Sequence, residues 1–162
     1  MFTITRAVPE DAEILAELRG EMQDERDKGT FRVPKPEFFE CNLRFFRERL
    51  ADKSFVSFIA WDGELAVASS GMCIQLHPPT HGNPSGRVGY ITNMYTRPAF
   101  RRRGVVTMLL ERLVETAREL KCGRCLLNAT DAGHPVYLKY GFTDIPGEMA
   151  FDLSSHGNSA SR

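Results

Sequence analysis

Residues 88–120 constrain the fold more than any other stretch, because a strand there runs through a basic turn directly into a helix. Val88, Tyr90, Thr92 and Met94 alternate with Gly89, Ile91, Asn93 and Tyr95, and both sets carry apolar side chains. A strand apolar on both faces belongs inside a sheet that is covered on both sides. Arg97-Pro98 ends the pairing, since proline has no N–H to give a ladder. Val106, Leu109, Leu110, Leu113, Ala117 and Leu120 then recur at spacings of three and four, the stripe of an amphipathic helix. Glu111, Arg112, Glu115, Arg118 and Glu119 take its other side, and Gly123 follows as a stop.

Arg101-Arg102-Arg103-Gly104 lies between the strand and the helix. The first N–H groups of a helix have no partner inside it, and the macrodipole adds positive potential at that end. Three cations placed there oppose the dipole, at a cost of ~0.3–1 kcal/mol each at low salt. A bound anion removes that conflict, and guanidinium forks engage two phosphate oxygens at once. The turn therefore reads as a seat for a phosphate-bearing ligand, against the plainer reading of a solvated charge run. No Gly-Lys-Ser/Thr follows, so it is not a Walker loop, and one glycine replaces the three of a dinucleotide fingerprint.

This strand, turn and helix resemble the acyl-CoA-binding core of the GNAT superfamily of N-acyltransferases, whose signature is Arg/Gln-x-x-Gly-x-Gly/Ala. Arg101-Arg102-Arg103-Gly104-Val105-Val106 fits it except at Val106, where the family usually has glycine or alanine. A second segment, Asn128 to Phe142, looks like the family's other conserved block, a short helix that carries a tyrosine and ends in Gly141-Phe142. The two blocks stand in the family's order, and the likeness extends over most of residues 1–153. The resemblance implies an α/β (α+β) fold with a central mixed, mostly antiparallel twisted sheet. About seven strands are expected, with helices on both faces and a splay between strands 4 and 5.

The resemblance also implies chemistry. Acetyl-CoA is the expected co-substrate, its phosphates held by Arg101, Arg102, Arg103, Gly104, Val105, Val106 and Thr107. Its pantetheine arm is expected beside the fourth strand at Met94, Tyr95 and Thr96, pairing like an added strand. A main-chain N–H near Met94 or Tyr95 would point at the acyl carbonyl. Asn128 either hydrogen-bonds the arm or caps the following turn. Tyr137, four residues before Gly141, matches the general acid and also lies among the cofactor contacts. A tyrosine with pKa near ~10 can donate to a thiolate whose acid has pKa near ~8.5. The alternative for Tyr137 is an aromatic that packs on the sheet. Asn93 stands on a strand where many members carry a glutamate; it cannot accept a proton at neutral pH, so it orients the amine or a water at most. Asp131, His134, Glu21, Asp24 and Glu25 remain open as the general base.

The implied function is transfer of an acetyl group from acetyl-CoA to a primary amine, preferably of a small molecule, by direct attack in a ternary complex. A non-catalytic acyl-CoA sensor or interaction module on the same scaffold is the alternative, motivated by Val106 and by a strand without an acidic residue. Glu21, Asp24 and Glu25 suit a cationic amine, whereas Arg26 and Arg32 suit a substrate carboxylate. Dimers are common in the resembling family, which leaves a homodimer open.

At 162 residues the chain is expected to form one domain over 1–153, with a polar tail at 154–162. Zero net charge argues against nucleic acid and against an anionic membrane as partners. No run approaches the ~20 apolar residues of a membrane span, and the start reads as a strand, so the expected location is cytoplasmic. Cys122 and Cys125 have no second close pair, so no metal is expected. Patterning predicts strands at 2–6, 54–61, 64–77, 87–96, 124–129, 141–145 and 148–153. Helices are predicted at 9–27, 36–51, 103–121 and 133–140.

Overall fold

Two long strands form the frame of the sheet. β2 (Phe55–Asp62) and β3 (Leu65–Leu76) make an antiparallel hairpin closed at Gly63, whose φ of 62° suits a residue without a Cβ. β1 (Thr3–Arg6) adds antiparallel to the outer edge of β2, and β4 (Arg87–Thr96) adds antiparallel to β3. β5 (Arg124–Leu127) pairs with β4 in parallel, after the crossover through α3 (Val105–Glu119). The order is β1-β2-β3-β4-β5. The computed structural model describes residues 1–28, 30 and 33–149, in two compact units, residues 1–128 and residues from 129 onward.

In the first unit both faces of the sheet are covered. α1 (Ala12–Asp27), entered through a 3₁₀ turn at Pro9–Asp11, packs with α2 (Lys35–Ala51) over one face. Leu15 and Leu18 of α1 and Leu43, Phe46 and Leu50 of α2 are buried there against Phe55, Ile59 and Tyr95. The alternate residues Val56, Phe58 and Ala60 are buried as well, and α3 packs against β2, β3 and β4. Leu109, Leu110 and Leu113 of α3 have no exposed surface. Each such leucine contributes ~1.5–3 kcal/mol relative to leaving it in water. β4 lies between β3 and β5, as its two-sided apolar pattern requires.

The second unit contains α4 (His134–Tyr140), ended at Gly141, whose φ is 120°. The rings of Tyr137 and Phe142 meet edge to face at 5.8 Å, and His134 Nε2 lies 2.8 Å from Asp144 Oδ1.

The expectation of about seven strands is corrected here: the sheet has five among the described residues. Residues 141–145 form no strand, and neither do Glu148 and Met149. Positive φ at Gly141 and Gly147, with Pro146 between them lacking an N–H, breaks extended geometry there. Residues 150–153, the rest of the seventh expected strand, lie outside the described residues. Among the described residues no helix is long and apolar enough to cross a membrane.

Candidate active site

β4 changes character at Thr92. Up to Ile91 it pairs with β3 on one edge and with β5 on the other. The β5 ladder stops at Ile91↔Leu127, so the edge from Thr92 to Thr96 has no strand partner on that side among the described residues. On the β3 side the register shifts between Ser69 and Gly71, opposite Asn93, whose φ is 53°. Asparagine is among the few side chains that tolerate this left-handed conformation, and a β-bulge forms around it. The bulge turns the Asn93 Cβ toward Gly71, where any side chain would collide with the Phe55 ring at 2.2 Å. Asn93 is 5% exposed, and among the described residues neither its Oδ1 nor its Nδ2 has a hydrogen-bond partner. Thr96 Oγ1 is buried and unpartnered too.

The turn after β4 is built from left-handed residues. A 3₁₀ turn at Pro98–Phe100 leads to Arg101 in extended conformation, Arg102 at φ 62° and Gly104 at φ 79°. Left-handed residues in close succession turn N–H groups toward a common concavity, the geometry of an anion nest. No side chain caps the first turn of α3, and nothing lies within 4 Å of where a Cβ on Gly104 would stand. The N–H groups of Val105, Val106 and Thr107 are therefore free to receive a ligand's oxygens, which fits the phosphates of acetyl-CoA. Val105 is buried beneath the helix start, whereas Val106 is partly exposed.

The three arginines are not equivalent. Arg101 Nε donates to the Thr96 carbonyl at 2.9 Å, its Nη2 pairs with Glu25, and its guanidinium lies 5.9 Å from the Tyr95 ring centre. Arg103 stacks on Phe100 at 5.4 Å, and Arg102 and Arg103 are both exposed. The structure thus places Arg101 in the frame of the turn and leaves Arg102 and Arg103 on its surface.

That frame reaches α1. Glu25 uses both oxygens, accepting the Tyr95 hydroxyl at 2.5 Å and the Arg101 guanidinium. One turn earlier, Glu21 holds Arg97 in a fork at 2.6 and 2.9 Å, while Arg97 Nη1 donates to the Ala66 carbonyl at 2.8 Å. Burial, then the bond to Glu25, pushes the Tyr95 hydroxyl pKa far up. For Glu25, burial acts upward, but the bonds from Arg101 and Tyr95 hold the carboxyl below its ordinary range. The sequence reading missed this network, whose members lie 70 or more positions apart. Its one trace in the sequence is the spacing of Glu21 and Glu25, which puts them on one face of α1.

The remaining candidates fall in two places. Asn128, at the end of β5, donates from Nδ2 to the Tyr90 hydroxyl at 2.8 Å, so it ties the two strands where they part. In the second unit, burial raises the Tyr137 pKa above its ordinary value. Of the charges considered for substrate choice, Asp24 pairs with Lys35 at 2.6 Å and Arg26 with Asp27 at 3.1 Å; Arg32 lies outside the described residues. No group of three or more His, Cys, Asp or Glu side chains that could hold a metal comes together among the described residues.

Comparison with known proteins identifies the family. Residues 15–142 match the acetyltransferase (GNAT) family. A curated relative, the uncharacterized N-acetyltransferase YedL of Escherichia coli (strain K12), is 28% identical over 114 residues, which is 67% of this chain and 66% of that protein. A predicted acetyltransferase from Clostridium acetobutylicum, solved with acetyl-CoA, is 32% identical with a TM-score of 0.87, over 97% of this chain and 99% of its own. The aminoglycoside antibiotic 6'-N-acetyltransferase AAC(6')-IG from Acinetobacter haemolyticus shares the fold, at 22% identity and a TM-score of 0.71 over 93% of this chain and 97% of its own. The chain belongs to the acetyltransferase (GNAT) family, and it is an acyl-CoA-dependent N-acetyltransferase.

Proposed function

We propose that this chain transfers an acetyl group from acetyl-CoA to a primary amine of a small molecule, by direct attack in a ternary complex. The observation that carries the reading is the turn from Arg101 to Gly104, with uncapped N–H groups and open space above the glycine. The Clostridium acetobutylicum relative, solved with acetyl-CoA, supports the choice of ligand, and the aminoglycoside acetyltransferase supports an amine acceptor.

In this reading the N–H groups of Val105, Val106 and Thr107 bind the pyrophosphate with Arg102 and Arg103, while Arg101 holds the turn in shape. The pantetheine arm pairs with the open edge of β4 at Met94, Tyr95 and Thr96, as an added strand would. Asn128 borders that arm. A main-chain N–H at Met94 or Tyr95 donates to the thioester oxygen as negative charge builds there. The amine lone pair attacks the carbonyl carbon, with Asn93 orienting the amine. The tetrahedral intermediate then collapses, the C–S bond breaks, and Tyr137 gives its proton to the departing sulfur. The proton lost by the amine goes to solvent, from which Tyr137 is reprotonated. Burial raises the Tyr137 pKa, which favours the protonated hydroxyl that an acid requires.

Calorimetric titration with acetyl-CoA and with dephospho-CoA tests the seat. Both should bind, and Gly104→Asp should abolish binding of both; no binding of either at millimolar concentration overturns the reading. Tyr137→Phe should lower kcat by about 10²–10⁴-fold with little change in acetyl-CoA affinity. Equal turnover by that variant removes Tyr137 from the acid role. A non-catalytic acyl-CoA sensor is the second reading, favoured by Val106 in the signature, and multiple turnover of thiol release excludes it.

A further inference from the structure

α1 turns an unpaired cation toward the sheet. Leu15, Arg19 and Gln23 succeed one another every four residues, so they share one stripe of the helix. Leu15 is fully buried and Gln23 is 7% exposed, and Arg19 lies partly buried between them. Arg19 has no hydrogen bond or ion pair among the described residues. Three acids further along α1 are committed elsewhere: Glu21 to Arg97, Glu25 to Tyr95 and Arg101, and Asp24 to Lys35. A guanidinium withdrawn from water without a partner is unfavourable unless something anionic meets it.

The same face of the sheet holds the orphaned Asn93 amide. α1 packs on β3, where Arg19 and Cys73 feel one another: burial raises the thiol pKa and Arg19 pulls it down. Cys73 and Gly71 are two residues apart on β3, so they face the same side at a separation of ~7 Å. A Cβ on Gly71 would stand 3.3 Å from the Asn93 Cβ. A guanidinium beside Cys73 and an unsatisfied amide beside Gly71 therefore lie along one face of β3 and β4.

We propose that Arg19 and Asn93 recognise the two ends of the acceptor, and that the acceptor is a small amine that also carries a carboxylate. The inference rests on the acetyl-transfer reading above and names its substrate class. Asn93 Oδ1 accepts from the amine N–H, which aims the lone pair, and the Arg19 fork takes both carboxylate oxygens. A single fixed cation suits a monoanion. A phosphate dianion would call for a second one, and Arg26 is already paired with Asp27. A polycationic acceptor finds Glu21, Asp24 and Glu25 already paired and meets Arg19 as a like charge.

The test follows thiol release with acetyl-CoA across matched acceptors: the protein amino acids and β-alanine against their carboxamides, with spermidine and an aminoglycoside as cationic comparisons. The amino-carboxylate that is turned over should exceed its amide in kcat/KM by about 10- to 100-fold, the worth of one charge-assisted pair. Arg19→Ala should raise KM for the carboxylate to that of the amide and leave the amide's KM unchanged, with Arg19→Lys restoring part of the difference. Asn93→Gly should lower kcat for both members of the pair and keep their KM ratio. The proposal is overturned if amides or spermidine are used as well as carboxylates, or if Arg19→Ala weakens both members equally. Acetyl-CoA binding without turnover of any amino-carboxylate overturns it too. Acetyl-CoA affinity measured on the same samples separates the cases, because its absence in the unaltered chain defeats the acetyl-transfer reading itself.

Discussion

The two halves of β4 are built from similar residues and do opposite work. From Val88 to Ile91 the strand pairs with Met72–Gln75 of β3 on one edge and with Arg124–Leu127 of β5 on the other, and Val88 and Ile91 are 2% exposed. From Thr92 to Thr96, among the described residues, one edge lacks a strand partner and three buried side-chain atoms have no hydrogen-bond partner, and Asn93 stands at positive φ. Buried orphan groups and left-handed non-glycine residues both raise the energy of a fold, so they persist where the surroundings over-determine them. The paired half supplies those surroundings, and the open half is where a ligand can be received.

The largest test of this contrast is Ile91→Ala. It should cost ~2–5 kcal/mol, read from urea denaturation, because it opens a cavity under α3. A loss near zero would mean that the paired half does not anchor the strand. Asn93→Gly, two residues further on, should move stability the other way. It removes two unsatisfied polar atoms and relieves the left-handed strain, for a net gain of about 1 kcal/mol, while turnover falls. A destabilisation as large as that of Ile91→Ala would make Asn93 a structural member instead of a substrate contact.

Glu25→Gln should have the smallest effect, under ~1 kcal/mol at neutral pH, because the carboxylate is largely exposed. Its sign follows from the lowered pKa of Glu25 in the fold. A carboxyl held below its ordinary range stabilises the fold above that range, and the contribution disappears as pH falls through the lowered value. The difference in denaturation midpoint between the unaltered chain and Glu25→Gln should therefore be present at neutral pH and vanish in strong acid. A difference independent of pH would mean that the carboxylate charge plays no part in holding Arg101 and Tyr95.

Local pattern made much of this legible beforehand. β4 occupies 87–96, as its alternation and its closing Arg97-Pro98 predict, and α3 begins just after the turn that separates them. Leu15, Leu18, Leu43, Phe46 and Leu50 are buried, as their helical spacing implies. The strand expected at 141–145 does not form for a physical reason: Gly141 and Gly147 stand at positive φ and Pro146 has no N–H, which a ladder does not accept. Nothing in a basic run announces that a glutamate 76 positions away will meet Arg101.

What the chain determined by itself were the quantities set over a few residues: where strands alternate, where a helix buries its leucines, where proline stops a ladder, and where glycine opens a turn. These depend on dihedral preference and on the periods of side-chain direction, which neighbouring residues share. Tertiary structure alone decided which side chains are satisfied. Folding brings Glu21 and Glu25 onto Arg97, Tyr95 and Arg101, ends the β5 ladder at Leu127, and leaves the Asn93 amide without a partner among the described residues. Hydrogen bonds and ion pairs act over a few ångströms of space, whatever the distance along the chain, so only the folded arrangement can say which of them form.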